Sequence, residues 1–270
     1  MNETIALLGV VIAIAAAARS TWSPCGQSML SQITPIAEAG RRQRFGRTAC
    51  WFIGGAVVGG LTLGGLVAGF AAVVAATDLG QSTALGIVAA CAFAGAAVDA
   101  RILGFGPPFF RRQVNEYWLS TYRAWLYGSG FGWQIGVGFA TYIMTAAVPL
   151  IIVLAALSAS PWAALGIGAV FGLARGLAVL LGAPVRTLPA LHSFHRRFDA
   201  AGEPVRQVVI AVQLAVAIGT VWAVAPAAVA TVVTVGAVAI FAWARYRTSG
   251  ADAPMVERAD VDTTQRQAVA

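Results

Sequence analysis

The sequence predicts an all-α integral membrane protein of about seven transmembrane helices. Two observations carry that prediction. Only 11% of the 270 residues are charged while 59% are hydrophobic, against roughly 25% charged in a typical soluble domain. Long apolar runs, each near the roughly 20 residues a bilayer crossing needs, then alternate with short polar connections.

The runs can be taken in order. Span one covers residues 4–37, opening with IALLGVVIAIAAAA and continuing past interruptions. Spans two and three cover 49–76 and 83–105. Spans four and five cover 131–157 and 161–181, and a charged loop follows over 182–204. Spans six and seven cover 205–224 and 226–243, divided at Ala225-Pro226. Residues 1–245 thus form one polytopic domain. The polar stretch 246–270 is expected to be a disordered cytoplasmic tail.

Orientation follows from the connections. Every basic side chain is arginine, and the net charge is +7. Arg41, Arg42, Arg44 and Arg47 fill the first connection; Arg101, Arg111, Arg112 and Arg123 fill or flank the third. Arg186, Arg196 and Arg197 lie in the fifth, and Arg245 and Arg247 follow the last span. The intervening connections carry only Asp78 or no charge. The positive-inside rule then predicts an outside N-terminus and a cytoplasmic C-terminus in a bacterial cytoplasmic membrane. The arginines are topology signals, so no nucleic-acid partner is expected.

Residues 106–130, GPPFFRRQVNEYWLSTYRAWLYGSG, interleave Tyr117, Trp118, Tyr122 and Trp125 with arginines. Amphipathic rings sit well at headgroup depth, so an interfacial segment is expected. A partner-docking surface is the alternative.

Three spans on each side of that segment suggest two inverted three-helix repeats plus one extra C-terminal helix. Such repeats place a site at the bilayer midplane between broken helices. The first helix of each half carries breakers, Pro24 and Pro35 in one and Pro149 in the other. The second is glycine-rich in both, FIGGAVVGGLTLGG from Phe52 and GIGAVFGLARGLAVLLG from Gly166. Close helix packing alone would also account for those glycines.

The most specific local feature is STWSPCGQSMLSQITP, Ser20 to Pro35. Pro24 removes a backbone donor and interrupts the helix. Cys25 then lies near the start of a second half-helix, where a thiolate is stabilised. Gln27, Ser31, Thr34 and Glu38 follow at helical spacing, a polar stripe that should face protein or a water path. Polar glue between helices explains the same stripe. Arg19, Asp99 and Arg175 fall at similar depth inside spans one, three and five, and a charge there normally pairs or lines a path. One Arg–Asp pair would leave an arginine free to attract an anion. Snorkelling to the headgroups is the plainer alternative. His192 and His195 share a predicted loop without the ligand cluster a metal needs, so no metal is expected.

Ser23-Pro24-Cys25 in a broken first helix, the basic loop after it and the glycine-rich second helix resemble the cytochrome c biogenesis protein CcdA and the transmembrane domain of the disulfide reductase DsbD. That family falls in the LysE-type superfamily of three-helix inverted repeats. The resemblance implies thiol–disulfide transfer from a cytoplasmic thioredoxin-like protein to an outside thiol protein, without a cofactor. It implies Cys25 as the exchanging thiol. The family's second cysteine, in the fourth span, has no counterpart: GFATYIMTAAVPL from Gly138 offers Thr141, Tyr142 and Thr145 instead. Cys50 and Cys91 are the other two cysteines, and either could substitute for it within the bundle. The sequence therefore supports thiol transfer at Cys25 first. A small-anion transporter using Arg19, Pro24, Gln27, Ser31, Thr34, Asp99, Thr141, Tyr142 and Arg175 comes second, and a non-catalytic membrane assembly partner third.

Overall fold

The computed structural model describes residues 2–77, 79–102, 104–107 and 121–251. Four helix starts share one local device. Ser23, Thr34, Ser160 and Thr187 each turn a hydroxyl back to accept a backbone N–H three residues on. In the first three a proline follows at once. The hydroxyl satisfies an orphan donor, and proline suits the first helical position because its missing N–H is not needed there. The prolines of span one thus begin new helices.

Among the described residues ten α-helices result: α1 (Asn2–Ser20), α2 (Pro24–Gln32), α3 (Pro35–Gly40), α4 (Phe45–Ala75), α5 (Gln81–Asp99), α6 (Ala124–Val137), α7 (Ala147–Leu157), α8 (Pro161–Leu177), α9 (Leu188–Val224) and α10 (Ala227–Ala251). A 3-10 turn, Ala178–Gly182, extends α8. Six of the helices are long and apolar enough to cross a membrane. The pair α6 and α7 takes the place of the predicted fourth span. The protein is an all-α multi-pass membrane protein in contact with the bilayer. Its helices turn large apolar side chains outward, among them Leu7, Val58, Leu66 and Phe70.

Several sequence expectations change in detail. Span one is three helices, broken at Thr21–Ser23 and again at Ile33–Thr34. Span three ends at Asp99, because Arg101 takes a left-handed φ of 58° that no helix continues through. The last part of the expected interfacial segment belongs to α6, with Tyr127 only 1% exposed. Tyr117 and Trp118 lie outside the described residues, as does most of the expected tail. The charged loop 182–204 is helical from Leu188 onward, carrying both histidines. Pro204 sits inside α9, where Glu203 holds Arg206 and Gln207 at 2.7 Å on the following turn. Pro149 does not break span four. It lies in the first turn of α7, and the break comes earlier, at Gly138, whose φ is 78°. A Cβ there would lie 2.8 Å from the Phe171 ring.

The packing repeats between residues 1–106 and 124–224. α4 packs most extensively on α6 and α8, α8 also on α1, and α5 on α9. The second helix of each half therefore packs on the first helix of the other. Glycine sets how close these helices come. A Cβ on Gly60 would lie 2.1 Å from the Gly168 carbonyl oxygen, and one on Gly132 would lie 2.0 Å from that of Phe52. No side chain fits between such backbones. The chain divides at Val224–Ala225 into two units, the second built on α10, itself apolar enough over Ala227–Ala244 to cross a membrane.

Gly60→Ala is expected to destabilise the fold by about 1–3 kcal/mol through overpacking. Gly69→Ala, on the same helix with nothing within 4 Å of its Cβ position, is expected to be neutral or slightly stabilising. Unfolding titrations in mixed micelles would compare the two, and equal losses would contradict the close approach.

Candidate functional site

The first break is built by a tight turn. The Thr21, Trp22 and Ser23 amides each bond the carbonyl three residues back, at 3.1, 3.2 and 3.1 Å. The chain then restarts as α2 with Ser23 as its cap. Gly26 is obligatory here, since a Cβ would lie 2.1 Å from the Thr21 carbonyl oxygen. Trp22 locks the turn in place. Its ring stacks on Phe198 of α9 at 4.4 Å, and its indole N–H donates to the Phe198 carbonyl at 2.7 Å.

Cys25 occupies the first turn of α2 and is 3% exposed. Arg175 arrives from α8, 2% exposed. Its guanidinium donates to the Ser20 carbonyl at 3.3 Å, lies 5.8 Å from the Phe171 ring and interacts electrostatically with Cys25. Among the described residues no carboxylate lies within ion-pair distance of it. A cation there sits well at the carbonyl end of α1.

The second break runs from Gly138 to Ala146, between α6 and α7. Asp99, 5% exposed at the end of α5, reaches into it. Its carboxylate accepts from the Thr145 hydroxyl, from the Ala146 amide at 2.8 Å and from the Gln213 amide nitrogen at 2.7 Å. Arg206 donates to the Asp99 backbone carbonyl at 3.0 Å and pairs with Glu203. The expected Arg–Asp pair does not form: neither Arg19 nor Arg175 is within ion-pair distance of Asp99. Thr141 turns its hydroxyl to the Gly138 carbonyl, and Tyr142 is half-buried nearby in sequence.

The polar stripe does not line one face, because α2 and α3 are separate helices. Gln27 is exposed, and Ser31 meets the Gln27 carbonyl and the Nε2 of His195, both at 2.9 Å. Thr34 caps α3. Glu38 is fully buried. It accepts from Thr48, from Tyr127 at 2.8 and 2.9 Å, and from Arg41 at 3.0 Å. This knot ties α3, α4 and α6, so Glu38 has a structural role. No local pattern marks it, since Glu38 and Tyr127 stand 89 residues apart.

Three buried side-chain polar atoms among the described residues lack a hydrogen-bond partner: Arg19 Nε, Ser20 Oγ and Gln213 Oε1. The first two belong to the end of α1 at the first break. The third belongs to the residue that holds Asp99 at the second. Buried polar atoms are nearly always paired, and exceptions tend to mark function. None of Cys25, Cys50 and Cys91 is in a disulfide, and of the three Cys25 is the buried one.

No family model matches the sequence, and no solved structure matches it. The chain is similar to methylamine utilization proteins. It is 29% identical over 176 residues to the methylamine utilization protein MauF of Paracoccus versutus, covering 65% of this chain and 64% of that one. It is 29% identical over 187 residues to MauF of Methylorubrum extorquens, covering 67% and 65%. Against MauF of Paracoccus denitrificans the identity is 31% over 185 residues, covering 66% and 64%. The matched region thus spans less than two thirds of these relatives' length.

Tyr127→Phe removes both bonds from the phenol to Glu38 and is expected to cost about 1–3 kcal/mol, the penalty for under-satisfying a buried carboxylate. Trp125→Phe, on the exposed face of α6, is expected to change stability by less than about 0.5 kcal/mol. Thermal unfolding in one detergent would check the contrast.

Proposed function

We propose that the protein carries thiol–disulfide exchange through a membrane, with Cys25 as the exchanging sulfur and Arg175 as its counter-charge. The observation that carries this reading is the buried Arg175 guanidinium, which interacts electrostatically with the buried Cys25 and has no carboxylate within ion-pair distance among the described residues. A thiolate is the attacking form of cysteine.

One cysteine suffices if both partners bring two sulfurs. The Cys25 thiolate attacks one sulfur of an outside protein disulfide. The S–S bond breaks, and the second outside sulfur leaves as a thiolate and takes a proton. A cytoplasmic dithiol, of thioredoxin-like type, then attacks the Cys25 sulfur and releases the outside protein as a dithiol. Its own second thiol closes the cytoplasmic disulfide and returns Cys25 as a thiolate. Two electrons move outward, and the missing cysteine of the fourth span is not required. Cys25 is occluded in this conformation, so each partner reaches it as one three-helix half rocks against the other.

The orientation proposed with this step is N-terminus outside and C-terminus cytoplasmic, in a bacterial cytoplasmic membrane, from the alternation of the arginines. The relatives are named for methylamine utilization, and the same setting is proposed for this chain.

A second reading has its own support. The unpartnered Arg19 Nε and Ser20 Oγ at the first break suit a small anion as transported solute, drawn by Arg19 and Arg175.

Proteoliposomes with a dithiol protein inside and a disulfide protein outside separate the two readings. Cys25→Ser is expected to abolish reduction of the outside disulfide. Arg175→Met is expected to slow it about tenfold or more, equivalent to about 1.4 kcal/mol of lost charge stabilisation. Full reduction by the Cys25→Ser protein would overturn thiol exchange. Anion flux that survives in Cys25→Ser and is lost in Arg175→Met would establish the second reading.

A further inference from the structure

The thiol reading leaves the second break unused, although that break holds the buried carboxylate of α5. Asp99 meets three donors, and none of them is a cation. Two of these contacts are what a helix start requires. The Ala146 amide is an orphan donor at the beginning of α7, and Thr145 also accepts from the Ala147 amide at 3.1 Å. Capping accounts for that side of the carboxylate.

It does not account for Gln213. This side chain is fully buried on α9 and donates its Nε2 to Asp99 Oδ2. Its carbonyl oxygen is left without a partner, against α5, where a Cβ on Gly95 would lie 3.0 Å from it. An amide has a donor end and an acceptor end, and rotation of the terminal bond exchanges them. The end now facing Asp99 suits a charged carboxylate. The end now unpaired suits a carboxylic acid.

We propose that Asp99 is a proton-binding site at the second break, with the Gln213 amide as the group that reads its protonation. A proton taken up at Oδ2 makes a carboxylic O–H. The amide turns, and Gln213 Oε1 accepts that hydrogen. Loss of the proton reverses both changes, and no other bond is made or broken. Thr145 and the Ala146 amide hold the carboxyl in place in either state.

Among the described residues the charged groups around the site can be named. Arg206 reaches the Asp99 carbonyl from α9 and pairs with Glu203, and Arg19 acts on the carboxylate from α1; Glu203 and Arg101, in the turn after α5, act in turn on Arg19. The helix α7 and residues 141–146 contribute none. Arg206 touches the Asp99 carbonyl and holds Glu203, whose side chain is 60% exposed. That contact runs from the site to an exposed carboxylate. A carboxyl enclosed within a membrane protein is a usual element of proton pathways.

Infrared difference spectra of the full chain in nanodiscs, taken between acidic and alkaline pH, test the proposal without any assay of activity. The wild type is expected to gain a protonated-carboxyl C=O band on acidification that Asp99→Asn lacks. Asparagine keeps an acceptor for the Ala146 amide, so α7 stays capped. Gln213→Leu is expected to keep the band and move it to higher frequency, because the acid loses its acceptor. Identical difference spectra for wild type and Asp99→Asn would overturn the site. A band that Gln213→Leu leaves in place would overturn the role of the amide. Should Asp99→Asn fail to fold, the Gln213→Leu comparison decides alone, an unmoved set of bands counting against the proposal.

Discussion

A guanidinium buried among spanning helices costs at least about 2.5 kcal/mol on insertion scales, and the structure keeps Arg175 there. The way the chain meets that cost arranges the first break. The carbonyl end of α1 accepts from Arg175, and the restart of α2 buries Cys25, with which that charge interacts. A broken helix inside a bilayer needs partners for its freed backbone groups, because lipid supplies none. Ser23 and Thr34 supply them on the amide side, and Arg175 on the carbonyl side.

The glycine faces of α4 and α8 make this arrangement possible. Contact between the Gly60 and Gly168–Gly172 backbones brings α8 close enough for Arg175 to reach α1. The matching approach of α6 to α4 sets Tyr127 over Glu38 and fixes α3, which follows the break. The two breaks differ in charge. The first presents a cation and a thiol, and the second presents a carboxylate held by neutral donors. Each has at least one buried polar atom unpaired, so neither is fully explained as structure.

Much of this was legible from the sequence. Apolar run lengths and the alternation of arginine-rich connections marked the crossings, and Ser23-Pro24-Cys25 marked the first break. By residue type Pro149 marks the second break, whereas proline in the first turn of α7 is harmless. Gly138 does the work, and a glycine among 30 carries no distinguishing signal. The helical start of α9 was hidden by its polarity. Its first turns carry Arg196, Arg197 and Asp199, which read as a loop when hydropathy is the guide. Partnerships across the chain, Arg175 with Ser20 and Asp99 with Gln213, depend on which helix faces meet, and residue types alone do not fix that.

The central claim, that Cys25 is the exchanging sulfur, is tested most directly by trapping its intermediate. Membranes would be incubated with a thioredoxin-like dithiol protein lacking its second cysteine, so that a mixed disulfide once formed cannot resolve. Peptide mass spectrometry would then identify the sulfur joined to that partner. The account predicts a disulfide to Cys25, formed far more slowly in the Arg175→Met protein. A partner joined to Cys50 or Cys91 instead, or to no cysteine of this chain, would contradict it.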